Sequence, residues 1–278
     1  MSPARPAHRA LRKARRTTVA LPIRAWRAAR VSAHVIGGIA TQSIVFPRVT
    51  TERKRAITRR WCEKLLRLMN VEARVHGAFD TRRGNVLIVA NHISWLDIFV
   101  LNAHQPSRFV AKSELAGWPV VGRLIRGSGT LFIERARRRD TERVNRKAAE
   151  ALRSGDALVV FPEGTTTDGS TVLKFHGSLL QPIVDADGHL LPVAIRYHDG
   201  DGERSLAPEY AGDTSFAASF WRVCGERRLA VDLIASPALP AGAAHRRELA
   251  RAAEDAIRTA LAARDAAKAP GRPGGRAG

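Results

Sequence analysis

With 278 residues the chain is long enough for one large domain with its own core, and 46 Lys and Arg against 26 Asp and Glu, a formal charge of +20, point to an anionic partner. Nucleic acid, an anionic membrane surface and a phosphorylated substrate all satisfy that charge, and an Arg-rich genome also produces it. Cys62 and Cys224 have no Cys or His at ligand spacing, which excludes a zinc module and a disulfide scaffold and indicates a reducing compartment, while no run reaches the roughly 18 apolar residues of an ordinary membrane span.

In chain order, residues 1–16 (MSPARPAHRALRKARR) read as a basic, disordered start. Residues 17–70 read as a helical segment at a membrane interface. In TTVALPIRAWRAAR, Arg24, Arg27 and Arg30 recur at helical spacing beside Leu21, Ile23 and Trp26, and residues 31–46 follow as a marginally apolar run broken by His34, Gln42 and Ser43. That sequence suits helices lying in the interface, bases toward the headgroups, better than a helix crossing it. A surface helix packed on the domain is the alternative. A secretory signal is disfavoured because the arginines fall where its apolar region belongs.

Residues 71–265 alternate in type. VEARVHG reads as a strand, and NVLIVA is a continuous apolar run suited to a central parallel strand. SWLDIFVLNA follows as a short helix capped by Ser94 and starting at Trp95. RFVAK and TLFIE are strands on either side of the helix GWPVVGRLIRGSG. RRRDTERVNRKAAEALRSG is a charged helix stopped at Gly155, and ALVVFPEG, LLPVAIRYH and LAVDLIAS complete the strands. AAHRRELARAAEDAIRTALAARD closes the domain as an amphipathic helix, and the tail 266–278 offers nothing apolar to bury. The pattern predicts an α/β fold with a mixed, largely parallel sheet flanked by helices.

One junction carries chemistry. His92 and Asp97 stand five apart, about 140° around a continuous helix, and face each other only if the chain bends between them. A turn at Asn91–Ser94 supplies that bend, placing His92 on a loop at a strand's carboxyl end and Asp97 in the first turn of the next helix. The carboxylate then fixes the imidazole tautomer and frees the other nitrogen as a general base. Taken alone, a turn histidine and a helix-end aspartate explain the pair as well.

Three further blocks sit where strands meet loops: GTLFIER (Gly129–Arg135), VVFPEGTTTDG (Val159–Gly169) and LLPVAI (Leu190–Ile195). With Asn-His-four-Asp in front of them, residues 70–235 resemble the glycerophospholipid acyltransferase family, especially bacterial 1-acyl-glycerol-3-phosphate acyltransferases. FPEGTT and YAGDTSFAASFWRV are also similar to lyso-ornithine lipid O-acyltransferases.

The resemblance implies the glycerolipid acyltransferase fold over 71–265, with His92 as general base for an acceptor hydroxyl and Asp97 orienting it. The acyl group would come from acyl-CoA or acyl-carrier protein, passed directly to a membrane lysolipid, lysophosphatidate first and lyso-ornithine lipid second. Arg135 would contact an acceptor phosphate, Glu163 would hold acceptor hydroxyls, Gly164 would allow close backbone approach and Thr165 would donate a hydroxyl. Thr166 stands where the family has arginine, with Lys174 as the substitute charge. Pro192 and Val193 would shape an acyl pocket or serve the core. The resemblance further implies a peripheral or monotopic enzyme on the cytoplasmic side of the cell inner membrane, with no metal or redox cofactor. The chain has no Gly-x-Ser-x-Gly elbow, which agrees with direct transfer. A nucleic-acid-binding protein is disfavoured because aromatics are 6% of the chain and not interleaved with bases; no P-loop or dinucleotide glycine loop follows a strand.

Overall fold

The computed structural model describes residues 18–79, 81, 84–117, 121–133, 138–242 and 244–266. The basic start, Arg135 and the tail beyond residue 266 lie outside them. Two helices come first, α1 (Leu21–Ile44) and α2 (Thr51–Met69). Then β1 (Val71–His76), β2 (Val86–Ala90), α3 (Asp97–His104), β3 (Arg108–Lys112), α4 (Val121–Gly127), β4 (Leu131–Ile133), α5 (Arg138–Arg153) and β5 (Leu158–Val160) alternate. The chain ends with α6 (Gln181–Asp185), β6 (His189–Asp199), α7 (Phe216–Gly225), β7 (Leu229–Ala235), β8 (Leu239–Pro240) and α8 (Arg246–Ala266).

The strands make one eight-stranded sheet in the order β1-β7-β6-β2-β5-β3-β4, with β8 added to β6. β6 runs antiparallel to β7 and β8; every other pairing is parallel. β2 shows why the sheet is central. All five of its residues are buried; Val86, Ile88 and Ala90 point into one core with Leu65, Leu66, Met69 and Val100, and Leu87 and Val89 into the other with Leu152, Ile183 and Ile257. Alternation with period two on a strand apolar throughout requires a covered layer on each face. Each fully buried Val, Leu or Ile contributes about 1.5–3 kcal/mol.

Pro192 sits inside this sheet, where a missing N–H ordinarily breaks a ladder. It is opposite Val89 on the β2 side. On the other side β8 pairs only as far as Leu190 and β7 begins at Val193, so Pro192 falls in the gap between partners. Its carbonyl faces that gap and accepts from the Ser236 N–H at 2.9 Å. The proline nitrogen points the same way, so the position costs the sheet no hydrogen bond.

The first two helices depart from the sequence expectation. Residues 21–44 form one helix rather than a basic piece followed by an apolar one, and no helix among the described residues is long and apolar enough to cross a membrane. Arg24 and Arg27 turn toward the protein. Arg24 Nε donates to the Trp221 carbonyl at 2.7 Å with its guanidinium 4.5 Å from the Trp221 ring centroid, and Arg27 Nη1 donates to the Glu226 carbonyl at 2.6 Å. The physical reason is the carboxyl-terminal end of α7, the negative end of a helix, which draws cations. Farther along α1, His34 and Trp61 of α2 stack at 4.8 Å and exchange side-chain-to-backbone hydrogen bonds. Helix α2 starts at the Thr50 cap, ends at Asn70 in the left-handed conformation (φ 58°), and buries Leu65, Leu66, Leu68 and Met69 in the first core. It is thus part of the domain's packing as well as of the N-terminal segment.

The α1–α7 junction is expected to respond to pH through Glu226. Burial, then the neighbouring Asp199, pushes the Glu226 carboxyl up from 4.5 to about 7, against the pull of Arg24. The fold therefore favours the protonated acid. That stability is fully present below pH 4.5 and is lost as pH rises through about 7. Glu226→Gln, neutral at every pH, is expected to melt about 2–4 °C above the parent at pH 8 and level with it at pH 4.5. Circular-dichroism melts at the two pH values check this; an equal gap at both rules out the titration.

Candidate active site

β2 stops at Ala90, and Asn91 continues its pairing by side chain. The buried amide donates to the Ile195 carbonyl at 3.0 Å and accepts from the Ile195 N–H at 2.7 Å, substituting for one more rung of the ladder to β6. The chain leaves the sheet there. Ser94 Oγ accepts from Leu96 N, but Trp95 and Leu96 form a turn, so α3 begins at Asp97, two residues later than the sequence suggested. The delay comes from Asp97 itself, whose carboxylate gathers the preceding loop.

Asp97 Oδ2 accepts from Ile93 N at 2.8 Å, Ser94 N at 3.0 Å and His92 Nδ1 at 2.8 Å, and Oδ1 accepts from the Tyr197 hydroxyl at 2.7 Å. Asp97 is 0% exposed. A buried carboxylate is tolerated only with its lone pairs occupied, and four donors do that. The two backbone N–H groups also decide the tautomer. Oδ2 already accepts from them, so it takes Nδ1 as a third donor and leaves the Nε2 lone pair free on the other edge of the ring.

His92 is fixed on every other side by the loop after β5. Phe161 stacks under the imidazole at 3.9 Å and 10°. Glu163 Oε1 accepts from His92 N at 2.7 Å, and Thr167 N donates to the His92 carbonyl at 2.9 Å. The other Glu163 oxygen accepts from Leu173 N at 2.8 Å, closing the loop on itself. Burial pushes the Glu163 carboxyl above its usual range, and the N–H groups of Leu173 and His92 oppose that. Gly164 has φ 76°, which a side chain would strain, as its N–H turns back to the Phe161 carbonyl.

The remaining expected residues divide. Thr165 and Lys174 are exposed on the loop that carries Glu163. Thr166, in place of the family's arginine, turns its hydroxyl to the Tyr210 carbonyl. Pro192 and Val193 are buried in β6, with Val193 beside Ala90 and in the first core, so the structure gives them a packing role. Glu163 is 4% exposed, with one oxygen on the His92 N–H and the other on the Leu173 N–H. Among the described residues, no group of three or more His, Cys, Asp or Glu side chains is arranged to hold a metal ion.

Comparison with known proteins places the chain in a family. The family described as Acyltransferase matches residues 72–196, a span containing His92, Asp97 and Glu163. The chain is 38% identical over 213 residues to lyso-ornithine lipid O-acyltransferase of Pseudomonas aeruginosa, covering 77% of this chain and 81% of that protein. The chain belongs to the acyltransferase family. Within the family it is also 42% identical over 146 residues to 1-acyl-sn-glycerol-3-phosphate acyltransferase of Neisseria gonorrhoeae, a match spanning 52% of this chain and 57% of the relative. The crystal structure of the 1-acyl-sn-glycerophosphate acyltransferase PlsC from Thermotoga maritima shares the fold, with a TM-score of 0.61 at 23% identity over 87% of this chain and 98% of that one.

The acyltransferase blocks did not reveal Tyr197 or the ladder role of Asn91. A signal for Tyr197 was present: in LLPVAIRYH it shares the alternating face of Leu191, Val193 and Ile195, and a tyrosine on a buried apolar face needs a partner for its hydroxyl.

Proposed function

We propose that the protein esterifies the free hydroxyl of a lysolipid with an acyl group taken from a thioester donor, acyl-CoA or acyl-carrier protein, in phospholipid synthesis. The observation that carries this reading is the His92 imidazole, held at Nδ1 by Asp97 and presenting Nε2 at the carboxyl end of β2, where open α/β sheets place their ligands. Nε2 takes the proton of the acceptor hydroxyl as its oxygen bonds to the thioester carbonyl carbon. The tetrahedral intermediate expels the thiolate, which receives the proton back from the imidazolium. Asp97 stabilises that imidazolium throughout. In this scheme Arg135 meets an acceptor phosphate, Thr165 and Lys174 face the headgroup from the loop, and Glu163 keeps His92 in place.

Lysophosphatidate is the first acceptor, on the likeness to the Neisseria protein. Lyso-ornithine lipid is the second, favoured by two observations: the longer match to the Pseudomonas protein, and Thr166, which puts a hydroxyl bound to Tyr210 where the family has a guanidinium. Purified protein with acyl donor in detergent micelles, offered both acceptors, separates them. Transfer to lysophosphatidate supports the first, transfer to lyso-ornithine lipid alone supports the second, and transfer to neither defeats both.

A two-chain product does not leave into water, so we place the enzyme on the bilayer, peripheral or monotopic at the cytoplasmic face of the inner membrane. Helix α1 supplies the contact, with Leu21 67%, Trp26 64%, Ile36 68% and Ile44 61% exposed. Trp26→Ser with Ile36→Ser is expected to weaken binding to anionic vesicles by at least about tenfold, since each apolar side chain contributes about 1.5–3 kcal/mol when buried. Vesicle co-sedimentation measures it, and undiminished binding would remove α1 from the contact.

A further inference from the structure

We propose that Tyr197 is a positioning residue for the His92–Asp97 pair: by donating to Asp97 Oδ1 at 2.7 Å, its hydroxyl sets how much negative charge Oδ2 presents to the imidazole. The inference rests on reading His92 as the general base and adds a third member to the pair.

The placement is specific. Tyr197 is 1% exposed, its ring lies in the first core among Leu191, Val193 and Ile195, and it reaches Asp97 from a strand 100 residues away in sequence. The three donors on Oδ2 all belong to the loop that Asp97 closes, whereas Tyr197 ties the carboxylate to the sheet. Burial, then the charge of Asp97 and its hydrogen bond, pushes the Tyr197 hydroxyl well above its ordinary range, so it remains a neutral donor at any working pH.

A phenol donating to one carboxylate oxygen withdraws charge from both. It thereby lowers the carboxylate's ability to hold a proton on the neighbouring imidazole. Among the described residues, the titratable side chains hydrogen-bonded to His92 are Asp97 from α3 and Glu163 from the loop after β5, and Tyr197 from β6 bonds Asp97. Of the three, Tyr197 places its hydroxyl on Asp97, through which it acts on His92.

The test is the acid limb of the kcat/KM profile, which rises as the base loses its proton. Tyr197→Phe leaves Oδ1 with its charge undiminished, favours the imidazolium, and is expected to move the limb to higher pH by about half a unit to one unit. Replacing tyrosine by 3-fluorotyrosine touches two residues in this chain, Tyr197 and Tyr210. Fluorine makes the hydroxyl a stronger donor and is expected to move the limb the other way while preserving the fold. Opposite shifts are the signature; a packing role predicts slower or less stable enzyme with the limb in place. If the limb stays put in both forms, the inference is overturned, and if Tyr197→Phe does not fold the fluorinated protein decides alone. Should the parent transfer no acyl group, the functional reading fails, and the His92 imidazole titration followed by NMR in the same forms still decides whether Tyr197 tunes it.

Discussion

His92→Ala is expected to lower single-turnover acyl transfer by about 10²- to 10⁴-fold while the protein folds and melts nearly as the parent does. The separation of the two effects follows from the site's bonding. Without the imidazole, Asp97 still accepts from Ile93 N, Ser94 N and the Tyr197 hydroxyl, so no buried charge is stranded. Glu163 and Thr167 hold the backbone of residue 92, not its ring, and those bonds survive. What disappears is the proposed base, which Asp97, Phe161, Glu163 and Thr167 hold in place. Rapid-quench transfer alongside a thermal melt tests both halves, and a variant keeping more than about a tenth of the parent rate would remove His92 from the proton transfer.

Asp97→Asn is expected to cost a similar factor for a different reason. An asparagine that points its oxygen at Ile93 N, Ser94 N and His92 Nδ1 puts its amide nitrogen opposite Tyr197, whose hydroxyl then accepts. The loop and the tautomer persist, but the negative charge facing Nδ1 is gone, so the imidazolium of the proposed reaction loses the carboxylate bonded to it. A fall of about 10²- to 10⁴-fold in kcat with KM for the donor little changed is the expected pattern. Near-parent turnover would reduce Asp97 to a helix-end anchor.

The sequence made the sheet legible because its signal is local. NVLIVA and LLPVAIRYH are strands by composition alone, and Gly155 stops its helix where a left-handed residue is needed (φ 82°). The bend between His92 and Asp97 was legible too, since no other backbone lets residues five apart meet. What stayed hidden depended on distant partners. Nothing near Arg24 and Arg27 announces that the carbonyls of Trp221 and Glu226 await them, so two cations expected at headgroups were already engaged. A motif carries residue identity and not which atoms are occupied, so the two amides from separate segments that bond the Glu163 oxygens were not legible either. Helix α7, within YAGDTSFAASFWRV, has too short an apolar period to announce itself, although Ser215 caps it at the Ala218 N–H.

That helix has an architectural consequence. On one side α7 is fastened to α1 by Arg24 and Arg27; on the other, Ser219 accepts from Trp95 Nε1 at 3.0 Å, and Phe216 and Phe220 pack on the Trp95 ring three residues beyond His92. The proposed membrane foot and the Trp95 ring beside the proposed base therefore both pack against one ten-residue rod. An anchor on a flexible tether can be trimmed to yield a soluble catalyst. Trimming α1 here would remove Arg24 and Arg27 from the end of the rod that packs on Trp95, so the proposed attachment and the proposed site share one support.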